Sequence, residues 1–536
     1  MRTIVKYALF SCSFVVIGML VGFGIKGSIP AELNSGLRKF NHALRFIEAN
    51  YVDEPVRQEM IDDAIRGITK GMGPHTNYFT AAEMQKMRED MVGSYEGIGV
   101  RYNILEDTIY VEAPISGGPS EKLGIMAGDR IIKVDDRNVA GINITDADVL
   151  RYLKGPKGTT VKVMIRRRGE KELLPFEITR DRIPLNSLDF AYMIRPKTGY
   201  IKINRFAETT YAEFREALEN LLSEGMENLI LDLRDNPGGL MEMGRKVADE
   251  FIEQGKLIVR TEGRRNSTRQ KYMSTSNIGS FEAGGLVILQ NYGSASASEI
   301  VAGAVQDHDR GLIMGVRSFG KGLVQYQEDF EDGSAMRLVI SKFYTPSGRC
   351  IQKPFGESDE DYYDEINQRF ASGEIYDESK IDVPDSLKFS TTSGRTVYGG
   401  GGIVPDMFVA RDTSQWSDYL TLLRSNDVFR AFAAQYVDDR PQLTEQYPDW
   451  RSFVRNFQVS NRLLDQFVVY AKNRDIPAKP DQLERSFELI KNRVKALIGR
   501  RLYGDEAFYP VWMEADQVVQ QAIKSMPAAI ALQKEG

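Results

Sequence analysis

The sequence predicts a multidomain α+β protein: an α/β core, an inserted β-rich domain, and helical regions at both ends. Three features of the 536-residue chain predict it. Residues 95 to 180 break into short β-rich runs, YEGIGVRYN, TIYVEAP, DRIIKVDD, TTVKVMIRRRG and ELLPFEITR. Residues 198 to 410 alternate strand-like and helix-like segments, the pattern of an α/β domain. At the two ends apolar residues recur at helical spacing, as at Leu37, Phe40, Leu44 and Ile47, and again at Leu483, Phe487, Ile490, Val494 and Leu497.

Taken in order, residues 1–26 carry Arg2 and Lys6 ahead of an uncharged run from Tyr7 to Ile25. That run is long enough to span a bilayer and ends without a small-x-small cleavage pattern, so it reads as an N-terminal membrane anchor, with a cleaved signal peptide as the alternative. Basic residues on the short side place the rest of the chain across the membrane. Cys12 sits too early in the run for lipidation. Residues 34–94 read as a helical region with a loop at GMGPHTNYF, where His75 is an ordinary turn residue. The β-rich domain spans 95–182. The core spans 183–410 and is interrupted at 355–395 by an acidic stretch with Tyr and Ser, which reads as a surface insertion. Residues 411–536 are helical again, and the stripe from Leu483 to Leu497 is either core or a subunit contact.

Composition removes several function classes. A net charge of -6 without a basic stripe gives no footprint for nucleic acid. Two cysteines, Cys12 and Cys350, support neither a disulfide framework nor a Cys-rich metal site. With only His42, His75 and His308, a histidine-built zinc site would need nearly the whole supply.

Residues 291–298, NYGSASAS, follow the apolar strand pattern GGLVILQ and precede a helix-forming run that ends at Asp307. The serines therefore lie on a strand-to-helix turn, where unpaired N–H groups and the positive helix end favour an oxyanion. One serine is a nucleophile candidate, and spacing does not choose among Ser294, Ser296 and Ser298. A base must lie within hydrogen-bond reach. His308 follows Ser296 by twelve residues, about 18 Å along a helix, and is too far. Asp307 and Asp309 read as a polar helix end. Lys321 lies in SFGKGLVQ with Phe319, Leu323 and Val324 around it, a setting that strips hydration and favours the neutral amine. Gln325, four residues on, shares its face in either a strand or a helix and can orient it.

GIGV at 97–100 and GPSEKLGIMAGDRIIKVDD resemble a PDZ domain of the bacterial, circularly permuted kind. The resemblance implies that Gly97, Ile98, Gly99 and Val100 hold a peptide's terminal carboxylate on backbone N–H groups, with the Ile98 and Val100 side chains facing a nonpolar terminal residue. NYGSASASEIVAGAVQD followed by SFGKGLVQ, with DLRDNPGG, SKFYTPSGRCIQ and GGIVPD, resembles the carboxyl-terminal processing proteases, tail-specific peptidases of the S41 type, over residues 34–410. That resemblance implies a ClpP/crotonase-like protease core and a serine endopeptidase acting at or near substrate C-termini. Ser296 is then the nucleophile, Lys321 the general base and Gln325 its orienter. The oxyanion hole falls to backbone N–H groups of Ala297 and of Gly238 or Gly239. No metal or organic cofactor is implied, and the partners are proteins or peptides with nonpolar C-termini. With the anchor, the expected location is the bacterial envelope, inner-membrane attached with the protease in the periplasm. Short members of the family lack the acidic stretch and much of the C-terminal region, which leaves a homodimer contact or a lid as their expected contribution. Cys350 is assigned no chemistry. The competing reading is a catalytically inactive PDZ scaffold that only binds peptides.

Overall fold

The computed structural model describes residues 31–275, 279–356, 358–410 and 412–535. The anchor segment, with Cys12, lies outside the described residues, and no described helix is long and apolar enough to cross a membrane. The chain divides into two units, one ending at Met72 and the other starting at Gly73. The first contains α1 (Ala31–Asn50) and α2 (Arg57–Thr69).

The second unit opens with β1 (Asn77–Phe79) and α3 (Ala81–Val92), so residues 73–94 of the expected helical region belong here. Thr80 and Glu83 cap α3 reciprocally, and Gly93 ends it in the left-handed conformation. Next come the strands of the β-rich domain, β2 (Val100–Leu105), β3 (Thr108–Pro114) and β4 (Arg130–Val134), then α4 (Asp146–Leu153), β5 (Thr160–Arg166) and β6 (Leu174–Thr179). Their sheet order is β2-β3-β4-β5-β6, which leaves β2 at an edge. Val161, Val163 and Ile165 alternate inward along β5 and meet Val149 and Leu153 of α4 in one core.

The core domain has a sheet ordered β7-β8-β9-β12-β13-β16: β7 (Leu188–Arg195), β8 (Thr198–Ile203), β9 (Asn228–Asp232), β12 (Leu286–Gln290), β13 (Leu312–Gly315) and β16 (Met407–Phe408). The β7–β8 pair is antiparallel and the remaining pairs are parallel. Buried on both faces, β12 is apolar at Leu286, Val287, Ile288 and Leu289, as a central parallel strand requires. One face packs on α5 (Thr210–Ser223), α6 (Met241–Asp249) and α7 (Ala297–Asp307) through Phe214, Val247 and Val301. The other receives Val519, Ala522 and Met526 from the helix Gln517–Glu535. A second sheet joins β10 (Leu257–Gly263), β11 (Gln270–Met273), β14 (Leu323–Asp329) and β15 (Ala335–Tyr344) to β1, and it carries the residues that follow Lys321.

The stretch expected to be a surface insertion is largely exposed, yet it is anchored inward at a few positions. Its helix α8 (Asp359–Ser372) buries Tyr362 and Arg369, because an acidic, tyrosine-bearing helix can still place single large side chains inward. In the C-terminal region, Ile490, Val494 and Leu497 are buried in one apolar cluster with Phe432, Phe453 and Phe467, and the partly buried Leu483 and Phe487 pack against it. Charged pairs tie this region to the β-rich domain: Arg101 to Asp505 at 2.8 Å, Arg474 to Glu106 at 2.8 Å and Arg168 to Asp439 at 3.1 Å.

Candidate active site

The parallel sheet delivers the serine turn. β12 ends at Gln290, α7 begins at Ala297, and the intervening residues fold back so that Ser296 takes φ 54° and ψ -112°. A serine rarely adopts that backbone geometry, whose strain is about 1–3 kcal/mol. The three serines have different surroundings. Ser294 is buried, with its hydroxyl donating to Leu233 O at 2.7 Å and accepting from Asn291 N at 2.9 Å. Ser298 is buried and donates to Asn236 O at 3.0 Å. Ser296 between them is half-buried.

The DNPGG loop closes against this turn. Asn236 is fully buried, donates to Ile203 O at 3.0 Å and accepts from Gly238 N at 2.9 Å. Gly238, at φ 94°, leaves no room for a side chain: a Cβ there would lie 2.7 Å from Ser296 Cβ. A Cβ on Gly239 would lie 2.1 Å from Phe206 O. Both glycines are dictated by close approach. Among the described residues no acceptor meets the amides of Ala297 or Gly239. The Gly238 amide is engaged by Asn236, so of the two expected glycines only Gly239 has an N–H free for a ligand oxygen.

Sequence reasoning missed the residue that assembles the site. Glu299, fully buried on the first turn of α7, accepts from Ser296 N at 2.8 Å and Lys321 N at 2.9 Å through one oxygen. Its other oxygen accepts from Gly320 N at 2.7 Å and Ser318 Oγ at 2.5 Å. Burial raises its pKa, and these four donors oppose that by stabilising the carboxylate. One side chain thus fastens the serine turn to the lysine loop. The available signal was the S-x-x-E spacing of Ser296 and Glu299 at a helix start.

Lys321 precedes β14, and its Nζ donates to Gln325 Oε1 at 2.9 Å. Burial lowers its pKa to about 8, the positive charge of Arg337 contributes in the same direction, and Glu299 opposes both. Gln325 Nε2 in turn donates to His75 O at 2.6 Å. His75, read as an ordinary turn residue, is buried beside this group and contributes its carbonyl. Its ring faces Tyr362 of α8, with Nε2 2.9 Å from the hydroxyl. His308 caps the far end of α7 and pairs with Leu257 O at 2.7 Å, away from the serine turn. Asp307 and Asp309, the polar helix end, are buried in ion pairs with Arg349 and Arg395. Cys350 is a free thiol whose pKa burial raises.

In the β-rich domain, Gly99 has φ 75° and Ile98 O accepts from Ser120 Oγ at 2.6 Å. Among the described residues the Ile98 and Gly99 amides meet no acceptor. The Ile98 and Val100 side chains are 2% and 7% exposed within the domain core. Gly97 pairs with Asp181. Among the described residues no group of three or more His, Cys, Asp or Glu side chains is placed to hold a metal ion.

A serine turn, a buried amine and an appended β-rich domain define the class as a serine-type peptidase with a peptide-binding module, and comparison with known proteins narrows it. Peptidase family S41 matches residues 197–361, a PDZ domain 110–167, and a family of unknown function 419–504. The carboxy-terminal-processing protease of Bartonella bacilliformis is 34% identical over 59% of this chain and 72% of its own length. The carboxy-terminal processing protease CtpA of Bacillus subtilis is 34% identical over 60% of this chain and 67% of its own. A solved photosystem II D1 C-terminal processing protease is 29% identical, covers 59% of this chain and 85% of its own, and has a TM-score of 0.33. The chain belongs to the carboxy-terminal processing protease family, serine-type peptidases that carry a PDZ domain.

Proposed function

We propose that the protein cleaves protein substrates at or near their C-termini through a Ser296–Lys321 dyad. The observation that carries this reading is the shared Glu299 oxygen, which gathers Ser296 and Lys321 while the hydroxyls of Ser294 and Ser298 are engaged elsewhere. Neutral Lys321 takes the proton of the Ser296 hydroxyl as Oγ attacks the scissile carbonyl. The ammonium so formed protonates the leaving amine, and water, deprotonated by the same lysine, releases the acyl group. Gln325 holds one N–H of the amine, which leaves the lone pair available to the serine. The amides of Ala297 and Gly239 receive the developing oxyanion.

The PDZ domain takes the substrate's free C-terminus. Its carboxylate accepts from the open amides of Ile98 and Gly99 in the loop that begins at Gly97 and runs into Val100, and the peptide adds to the edge of β2. Because the Ile98 and Val100 side chains pack in the domain core, they are not the surface that meets a terminal residue, contrary to the expectation from sequence. With Arg2 and Lys6 ahead of the Tyr7 to Ile25 run, the same reading places the enzyme at the bacterial inner membrane, facing the periplasm. Membrane fractionation and protease accessibility of the full chain test that placement. The dyad is tested by incubating wild-type, Ser296→Ala and Lys321→Ala protein with an unfolded substrate and mapping products by mass spectrometry. Wild type should yield fragments cut near the C-terminus and neither variant should cut. Cleavage by Lys321→Ala overturns the assignment.

A further inference from the structure

The described contacts around Lys321 continue beyond Gln325 into the insertion. Gln325 Nε2 donates to a carbonyl, His75 O, so its Oε1 must be the atom that faces Lys321. Gln352 is oriented by the same logic: its Oε1 accepts from Gly322 N at 2.9 Å, so its Nε2 is the donor, to Lys353 O at 2.7 Å and to Tyr362 OH at 3.3 Å. The Tyr362 hydroxyl also pairs with His75 Nε2 at 2.9 Å. Burial and the nearby ammonium groups of Lys321 and Lys353 lower the His75 pKa to about 4, which keeps the ring neutral. The two rings meet edge to face at 5.0 Å and 87°, and Tyr362 is 1% exposed. The same helix grips the lysine loop from another side, as Arg369 donates to Ser318 O at 2.7 Å and Phe319 O at 3.3 Å. Lys353 Nζ sits 4.1 Å from the Phe319 ring centre and 4.3 Å from that of Tyr362.

We infer that Tyr362 and His75 are positioning residues for the general base: the insertion helix holds the His75 peptide in place, that peptide's carbonyl pins Gln325, and Gln325 aims the Lys321 amine. This rests on the reading of Lys321 as base. Without a fixed His75 carbonyl the Gln325 amide is free to turn and present its NH2 group to the amine, donor against donor. The insertion is thereby part of the positioning apparatus of this chain, acting on Lys321 through His75 and Gln325.

The full-length protein tests this with Tyr362→Phe, which keeps the buried ring and removes only the hydroxyl. One neutral hydrogen bond in the relay corresponds to a fall in kcat of about three- to tenfold, with KM changed less than about twofold and the unfolding temperature lowered by only about a few degrees. His75→Ala keeps the backbone carbonyl but frees the loop, and should lower kcat further. His75→Gln retains a side-chain hydrogen-bond partner for Tyr362, able to donate or accept, and should recover most of that loss. Adding Tyr362→Phe to His75→Ala should cost less than about twofold more, since the hydroxyl then has nothing to hold. Wild-type kcat in Tyr362→Phe, a loss confined to KM, no recovery by His75→Gln, or multiplying losses in the double variant would each overturn the relay. Lys321→Ala, assayed alongside, separates the two readings. If it is active the dyad fails, and if it is inactive while Tyr362→Phe is fully active only the relay fails.

Discussion

The pH dependence of turnover examines the base most directly. Lys321 titrates at about 8 because burial disfavours its charged form and Arg337 repels it, against the pull of Glu299. At pH 7 about a tenth of such amines are neutral, against about one in three thousand for an ordinary lysine, a gain of roughly 300-fold in working base. The value of kcat/KM should rise about tenfold per pH unit below 7, bend near 8 and level off above. Arg337→Met removes the second contribution, so the bend moves up: turnover at pH 7 falls by about two- to fivefold while the high-pH plateau is kept. Lys321→Arg should be inactive throughout, since guanidinium stays protonated. Stability carries the same signature with a definite sign. Between about 8 and the ordinary lysine value, the unfolded chain binds a proton that the folded chain does not. The site's penalty is therefore full below 8 and relieved as pH rises through that window. Lys321→Met should accordingly raise Tm at pH 7 and lose that advantage by pH 10. A peptide cleavage assay across pH, paired with thermal melts, reads both effects. A flat profile, or turnover by Lys321→Arg, would refute a lysine base.

Ser296→Ala should abolish cleavage with circular dichroism unchanged, whereas His308→Ala should keep most activity, since its ring pairs with Leu257 O at the far end of α7; the reverse ranking of these variants in a peptide assay contradicts the dyad. Glu299→Ala removes the acceptor shared by Ser296 N, Lys321 N, Gly320 N and Ser318 Oγ. Each charge-assisted bond contributes about 1.5–3 kcal/mol, so this variant should lose at least a hundredfold in kcat and melt several degrees lower. Amidating the C-terminus of a model substrate removes the charge that the Ile98 and Gly99 amides would meet, and should lower kcat/KM by about ten- to a hundredfold. Equal cleavage of the free and amidated peptides would leave the PDZ domain without a role in terminal recognition.

Much of the site is local in sequence, and that part was legible. The serine turn and the start of α7 lie within nine residues, where strand pattern, small residues and helix start specify one geometry. Lys321 and Gln325 are four apart and so share a face in a strand or a helix, but their contact at 2.9 Å depends on the irregularity at Val324 and Gln325 where β14 begins, which periodicity does not encode. Between Ser294, Ser296 and Ser298 the alternation is silent, because all three share a composition and a turn. The difference lies in what surrounds them: Leu233 O and Asn236 O, both from the DLRDNPGG segment, engage the outer two hydroxyls. Those partners are some sixty residues away along the chain and reach the turn only because β9 and β12 are parallel neighbours.

By itself, then, the sequence determined the order of domains and the chemistry available at the turn, since each depends on periodicity and on residues close along the chain, whereas the choice of Lys321 as base came from the resemblance to the processing proteases. Tertiary structure alone decided that Glu299 joins the serine turn to the lysine loop, that Gly238 is occupied by Asn236 while Gly239 stays open, and that an acidic insertion reaches His75. His75 and Tyr362 are separated by 287 residues and meet because β1 is drawn into the second sheet beside β15 while α8 closes over the lysine loop. No local pattern encodes such a meeting: it follows from how two sheets and a helix bury their apolar surfaces together, and the hydrogen bonds are settled by which polar groups that burial brings within reach.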